Sequence, residues 1–301
     1  MRFKLLGVIV SLLFLSCGPA GSVQLESPDG DIQLTISNRD EELTFKAASG
    51  GATLLSESSL GVQIQDRDFA QNVSVTELSR LSMDTTWQTV IGKHPTVRNQ
   101  YNQVSFRVES SGAHVYEIRV RCYNDGFAYR YHFPAGKEKD SLSVSKELTT
   151  LRFTDDFTFW AYNGEHHNVG PLRISEAPDA EIRNPMVIET SSGKYLGIHE
   201  AAIFNFAPFN MRPNSGDYAL EFTNTSMKSV PPFSSSWRTF IVGDEPGDLV
   251  ESDLLVNLNE PCKIDDTSWI QPGKSVWDWR VWGYEAPDGF VYGLNTESHL
   301  R

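Results

Sequence analysis

Several groups of side chains in this sequence could hold or act on a ligand. Asn99, Tyr101 and Asn102 set two amides and a phenol just ahead of a clearly alternating strand. Those groups can hydrogen-bond sugar hydroxyls, or the Asn side chains can close a turn on their own backbone. Trp277 and Trp279 flank Asp278, so on a strand both indoles face one way. An indole offers a flat face to apolar C–H groups and an N–H to a hydroxyl; packing between modules is the competing use. Glu165-His166-His167 has metal-ligand residue types. Adjacent strand residues point oppositely and no spaced partner follows, so a polar loop is expected there. Asp155-Asp156 and Asp265-Asp266 are paired only in sequence and read as solvated turns. Glu200 by itself reads as an exposed strand carboxylate, the common state of Glu. The chain has no G-x-S-x-G, no phosphate-cradling glycine loop and no C-x-x-C.

The elements that must position these groups follow from composition and pattern. The chain has 301 residues, 40% hydrophobic and 11% aromatic, which excludes disorder. Its net charge of −13 lacks any basic stripe, which argues against nucleic-acid binding. Three cysteines exclude a disulfide framework and a four-cysteine zinc site. Arg2 and Lys4 precede an 11-residue apolar run, Leu5 to Leu15, too short to span a bilayer and suited to a signal segment. Ser16-Cys17 after that run reads as a lipobox with Cys17 acylated; ordinary cleavage near Ala20 is the alternative. Either way the chain leaves the cytoplasm for the bacterial periplasm or outer membrane, touching a membrane only through a lipid anchor. Export permits a Cys122–Cys262 disulfide; two free buried thiols are the alternative.

Period-two alternation dominates the chain. Ile32, Leu34 and Ile36 alternate with polar residues, and Asn38 to Glu42 turns the chain into Leu43 and Phe45. Val104, Phe106 and Val108 alternate likewise. Tyr116, Ile118, Val120 and Cys122 predict the apolar face of a hairpin. Asn124-Asp125-Gly126 makes its turn, and Phe127, Tyr129, Tyr131 and Phe133 return on the same face. Asp248 is expected to cap a short helix carrying Val250, Leu254 and Leu258. The pattern predicts an all-β protein, a large antiparallel β-sandwich over residues 18–270. Pro272-Gly273 marks a boundary, with residues 271–301 opening another domain.

Several segments, in order, resemble glycoside hydrolase family 97. They are Val97-Arg98-Asn99-Gln100-Tyr101-Asn102, Arg121-Cys122-Tyr123-Asn124-Asp125-Gly126-Phe127-Ala128-Tyr129-Arg130-Tyr131 and Leu196-Gly197-Ile198-His199-Glu200-Ala201-Ala202. Ser236-Trp237-Arg238-Thr239-Phe240 and Ser268-Trp269-Ile270-Gln271-Pro272-Gly273 continue the likeness, running on to Trp279. The resemblance implies a galactose-mutarotase-like β-supersandwich followed by the first strand of a truncated (β/α)8 barrel. It implies an exo-acting, calcium-dependent enzyme on α-glucosides or α-galactosides. The paired catalytic carboxylates such hydrolysis needs would lie beyond Arg301, leaving this chain inactive alone. It implies that Glu200 reaches calcium, a hard cation that favours carboxylate oxygen. The expected partners are an oligosaccharide or α-glycoside and the barrel of the same protein, with no nucleic acid. A stand-alone carbohydrate-binding envelope lipoprotein is the alternative.

Overall fold

Aromatic and β-branched residues at every second position build the centre of the molecule. In this computed structural model the described residues are 22–39, 42–111, 113–135, 141–164, 168–204, 206–214, 216–224, 226–274, 283, 285 and 287–291. Strands dominate: a hydrogen-bonded ladder joins 17 of them, and a smaller sheet joins four. The paired strands are antiparallel, as the alternation predicts, and no closed barrel forms among the described residues.

The hairpin lies where expected. Ala113–Tyr123 pairs with Gly126–Phe133, setting Cys122 opposite Phe127 and Val120 opposite Tyr129. Tyr116, Ile118 and Cys122 are all at most 1% exposed. The return strand departs from a half-buried pattern, because Ala128 on its other face is also fully buried. Two apolar clusters cover its two faces. The larger fills the sandwich. The smaller gathers Tyr101, Tyr123, Ala128, Trp237, Leu254 and Leu258 outside it.

Asn99, Tyr101 and Asn102 lie within a strand rather than before one, since pairing already holds Thr96–Ser110 in extended form. Asp248 is not the N-cap itself, which is Glu245, but the N3 member of a capping box. Its carboxylate accepts the N–H groups of Asp244 and Glu245 at 2.8 and 3.1 Å, closing the turn that enters Pro246–Glu251. The chain then breaks at Ser252, whose hydroxyl is held by Asp125 at 2.6 Å, before Leu254–Asn257. Val250 therefore faces solvent, while Leu254 and Leu258 are buried. Cys122 and Cys262 are unpaired, and burial raises the Cys122 thiol pKa, which keeps it inert.

Contacts divide the chain into two units. One holds residues up to Trp87 and Thr96–Pro261; the other holds Gln88–Pro95 and the chain from Cys262. Every described side chain in the site below belongs to the first. No helix among the described residues is long and apolar enough to cross a membrane.

Gly126 is a point of close approach. Its φ is +150°, and a Cβ there would meet the carbonyl oxygen of Phe240 on the adjacent strand. Gly126→Ala is expected to cost about 1–3 kcal/mol through strain and displaced pairing. Urea unfolding measures it; an unchanged midpoint would contradict the geometry.

Candidate functional site

The site is built on one strand pair. Tyr195–Ala201 runs antiparallel to Trp237–Gly243, with Glu200 opposite Arg238 and Ala201 opposite Trp237. Directly opposed residues share a face and successive residues alternate. Glu200 and Arg238 therefore point into the sandwich, and Trp237 points out of it.

Inside, Arg238 is fully buried between two carboxylates. Its Nε and Nη2 donate to Glu147 Oε2 at 3.0 and 2.6 Å. Its Nη1 donates to Glu200 Oε2 at 3.2 Å and also to the Ser236 hydroxyl. Ser236 in turn donates to Glu200 Oε2 at 2.9 Å. Tyr129 and Thr149 each donate to Glu147 Oε1 at 3.1 Å. Glu147 ends a strand of the four-stranded sheet, so this ion pair ties that sheet to the large one. The rings of Phe209 and Phe206 lie 4.7 and 5.6 Å from the guanidinium carbon.

Two carboxylates around one guanidinium leave one negative charge in excess. Burial raises the Glu200 pKa, and Arg238, Ser236 and Asn184 only partly offset it. Burial also works against the Arg238 charge, but Glu147 and Glu200 overcome it and hold that guanidinium above its ordinary value. The Oε1 oxygen of Glu200 has one described contact, Asn184 Nδ2 at 3.5 Å. That amide already donates to the Phe209 carbonyl at 2.6 Å. Asn184 Oδ1 lies 3.1 Å from His199 Nδ1, and burial lowers the His199 pKa.

Outside, Trp237 floors a cavity of about 350 Å³ lined by Asn99, Tyr101, Arg121, Arg130 and the 256–261 segment. The Arg121 guanidinium lies 4.3 Å from the centre of the Tyr101 ring and 4.8 Å from that of Trp237. Arg130 lies 4.4 Å from Trp237. Trp87 closes the wall, donating its indole N–H to Asn257 Oδ1 at 2.9 Å.

Residues 25–261 match the sequence family described as Glycosyl-hydrolase 97 N-terminal. The chain belongs to glycoside hydrolase family 97. A retaining alpha-galactosidase of Bacteroides thetaiotaomicron is 24% identical over 99% of this chain and 50% of its own length. A probable retaining alpha-galactosidase of Streptomyces bingchenggensis is 26% identical over 89% of this chain and 41% of its own. This chain thus spans half or less of these curated relatives. A solved family 97 enzyme in complex with acarbose, from Pseudoalteromonas sp. strain K8, aligns with a TM-score of 0.75. It is 25% identical and covers 83% of this chain and 40% of its own.

Within this family 97 chain the residues singled out by sequence separate. Asn99 and Tyr101 meet at the Trp237 cavity. Asn102 does not join them; it accepts from Ser82 at 2.6 Å and donates to the Glu26 carbonyl at 2.9 Å, tying strands together. Glu200 lies on the opposite face and is 6% exposed, so it is no solvated strand carboxylate. Asp155 and Asp266 are turn acceptors as expected, bonded to Ser191 and Ser268. Cys17, Glu165-His166-His167, Trp277 and Trp279 lie outside the described residues. Sequence reasoning missed Arg238, Glu147, Trp237, Arg121 and Arg130. One signal was present: Arg238 shares strand parity with Phe240, which is fully buried.

Two outcomes test the network. Arg238→Met strands two buried carboxylates and is expected to cost about 3–5 kcal/mol by denaturant unfolding. The second concerns pH, without divalent cations. The native Glu200 keeps its proton to higher pH than the unfolded chain does. Its stabilising contribution is therefore present below the ordinary value of 4.5 and falls as pH rises from there through the raised native pKa. Glu200→Gln should abolish that fall in a pH series of urea midpoints; parallel curves would refute it.

Proposed function

We propose that this chain is the N-terminal portion of a calcium-dependent, exo-acting α-glycosidase that hydrolyses α-glucosidic or α-galactosidic bonds. Membership of family 97 across residues 25–261 carries this reading. The two curated relatives, both alpha-galactosidases or probable ones, lend weight to the galactoside side. On this reading the catalytic carboxylates are supplied by barrel residues beyond Arg301. The chain is exported and anchored through Cys17 at the periplasmic or outer-membrane surface.

Glu200 suits one position in a calcium shell. Its Oε1 is a hard oxygen with only a long contact to Asn184, while Oε2 is fixed by Arg238 and Ser236. The excess negative charge of the network favours a cation there. Calcium takes roughly six to eight oxygens, and no group of three His, Cys, Asp or Glu among the described residues could hold it. The other ligands therefore come from the rest of the polypeptide. When bound, the ion supplies positive charge that polarises the substrate or orients water. This chain's part is to hold one carboxylate rigid and to wall the site off from solvent. Asn99 and Tyr101 offer an amide and an aromatic group to a sugar at the Trp237 cavity; Trp277 and Trp279, outside the described residues, are proposed as substrate-binding aromatics from their residue type alone.

The alternative, a stand-alone carbohydrate-binding lipoprotein, draws on that cavity being complete within the first unit. Reading the DNA past Arg301 separates the two: in-frame barrel sequence with acidic residues supports the enzyme. The protein carrying that barrel should cleave a nitrophenyl α-galactoside or α-glucoside and lose the activity on chelation. Glu200→Gln should weaken calcium binding at least about tenfold, the lower end of what losing a supporting partner costs. Unchanged turnover on chelation together with unchanged calcium affinity of Glu200→Gln would defeat the calcium assignment.

A further inference from the structure

The Trp237 cavity carries a charge problem that the rest of the fold solves only in part. Arg119, Arg121 and Arg130 share one face of the hairpin, and Arg130 stands directly opposite Arg119. Like charges in that position repel. Glu117 relieves Arg119 at 3.6 Å. Arg121 donates only to neutral partners, Gln103 Oε1 at 2.8 Å and the Tyr123 hydroxyl at 3.5 Å. Among the described residues neither Arg121 nor Arg130 forms an ion pair. Burial, with Arg119 and Arg121 nearby, lowers the Arg130 pKa to about 10, and Glu260 offsets this only in part.

The geometry keeps both cations in place. Each lies against the Trp237 ring. A guanidinium carries its N–H groups around the rim of its plane, so an aromatic contact on its face leaves rim donors free for a ligand. Two buried polar atoms here also lack partners among the described residues, the Arg130 Nε donor and the Asn99 Oδ1 acceptor. Both have next to no accessible surface, so a ligand in the cavity meets the other edges of these two side chains. The cavity, about 350 Å³, falls at the small end of ligand pockets, roughly 300–1,000 Å³. Glu260 also lines it and is exposed. Its charge disfavours a multiply charged anion such as a phosphate dianion.

We propose that this cavity binds a singly charged acidic sugar, a hexuronate, with its carboxylate on Arg121 and Arg130 and a hydroxyl accepting from the Asn99 amide N–H. The inference rests on the carbohydrate reading of Asn99 and Tyr101 and names the ligand class that the cavity prefers. A carboxylate matches the planar fork of arginine. An overall charge of −13 works against adventitious anion binding, so two guanidiniums that outnumber the one carboxylate of the cavity, Glu260, mark a site built for an anion.

Titration calorimetry of the full chain with D-glucuronate, D-glucose and acetate tests it. Glucuronate should bind at least about tenfold more tightly than glucose, the worth of one charge-assisted hydrogen bond. Its affinity should fall with salt. Arg130→Met, which removes a like charge from the hairpin and leaves the apolar clusters intact, should bring glucuronate down to the glucose level. Asn99→Ala, which touches no charge, should weaken both sugars. Equal binding of glucuronate and glucose overturns the charge preference and leaves the carbohydrate reading standing. Acetate binding as tightly as glucuronate overturns the sugar assignment. Binding of neither sugar overturns both. The calcium test at Glu200, on the other face of the sheet, reads independently of all three outcomes.

Discussion

One guanidinium joins the two sheets where the site lies. Arg238 extends from the large ladder to Glu147 at the end of a strand in the smaller sheet, and on the way it fixes Glu200. A buried ion pair gains little over a well-packed apolar core, because desolvation takes back most of the attraction. Once built, however, it is costly to break. Removing either partner leaves a charge in a medium that cannot solvate it, against a total stability of about 5–15 kcal/mol. The network therefore acts chiefly as a positioning device. Ser236, Tyr129 and Thr149 supply the hydrogen bonds that make the burial tolerable.

The same strand pair separates two chemistries by parity alone. Trp237 and Arg238 are neighbours in sequence, yet one floors an outward cavity and the other anchors the interior. Their partners Ala201 and Glu200 follow the same division. A one-residue slip would exchange the faces, putting an indole against Glu147 and a guanidinium under the Leu254 cluster. Gly126 helps to hold the register, since only a residue without Cβ lets the neighbouring hairpin strand approach Phe240 so closely.

Much of this fold was legible because its physics is local. Alternation in Ile32 to Phe45, Val104 to Val108 and Tyr116 to Phe133 gave strands and apolar faces that recur in the structure. What was missed depends on contacts distant in sequence. Glu147 and Arg238 are separated by 91 residues, and nothing in either local pattern names the other. The helix near Asp248 forms but is cut in two for a similar reason, since Asp125 holds Ser252 from 127 residues away and breaks the spacing-four pattern. Asn99 and Asn102 looked like one group in sequence. Strand geometry parted them, because an odd separation puts two side chains on opposite faces.

The two sites carry opposite surplus charge, and that bears on how such a chain folds at all. The interior network sets two carboxylates against one guanidinium, and the outer cavity sets two guanidiniums against Glu260. Either surplus alone would be expensive in a partly desolvated setting. The two lie on opposite faces of the same strands, and each meets its cost separately. The interior surrounds its carboxylates with Arg238, Ser236, Tyr129 and Thr149. The outer cavity stacks its guanidiniums on Trp237 and sets Glu260 beside them.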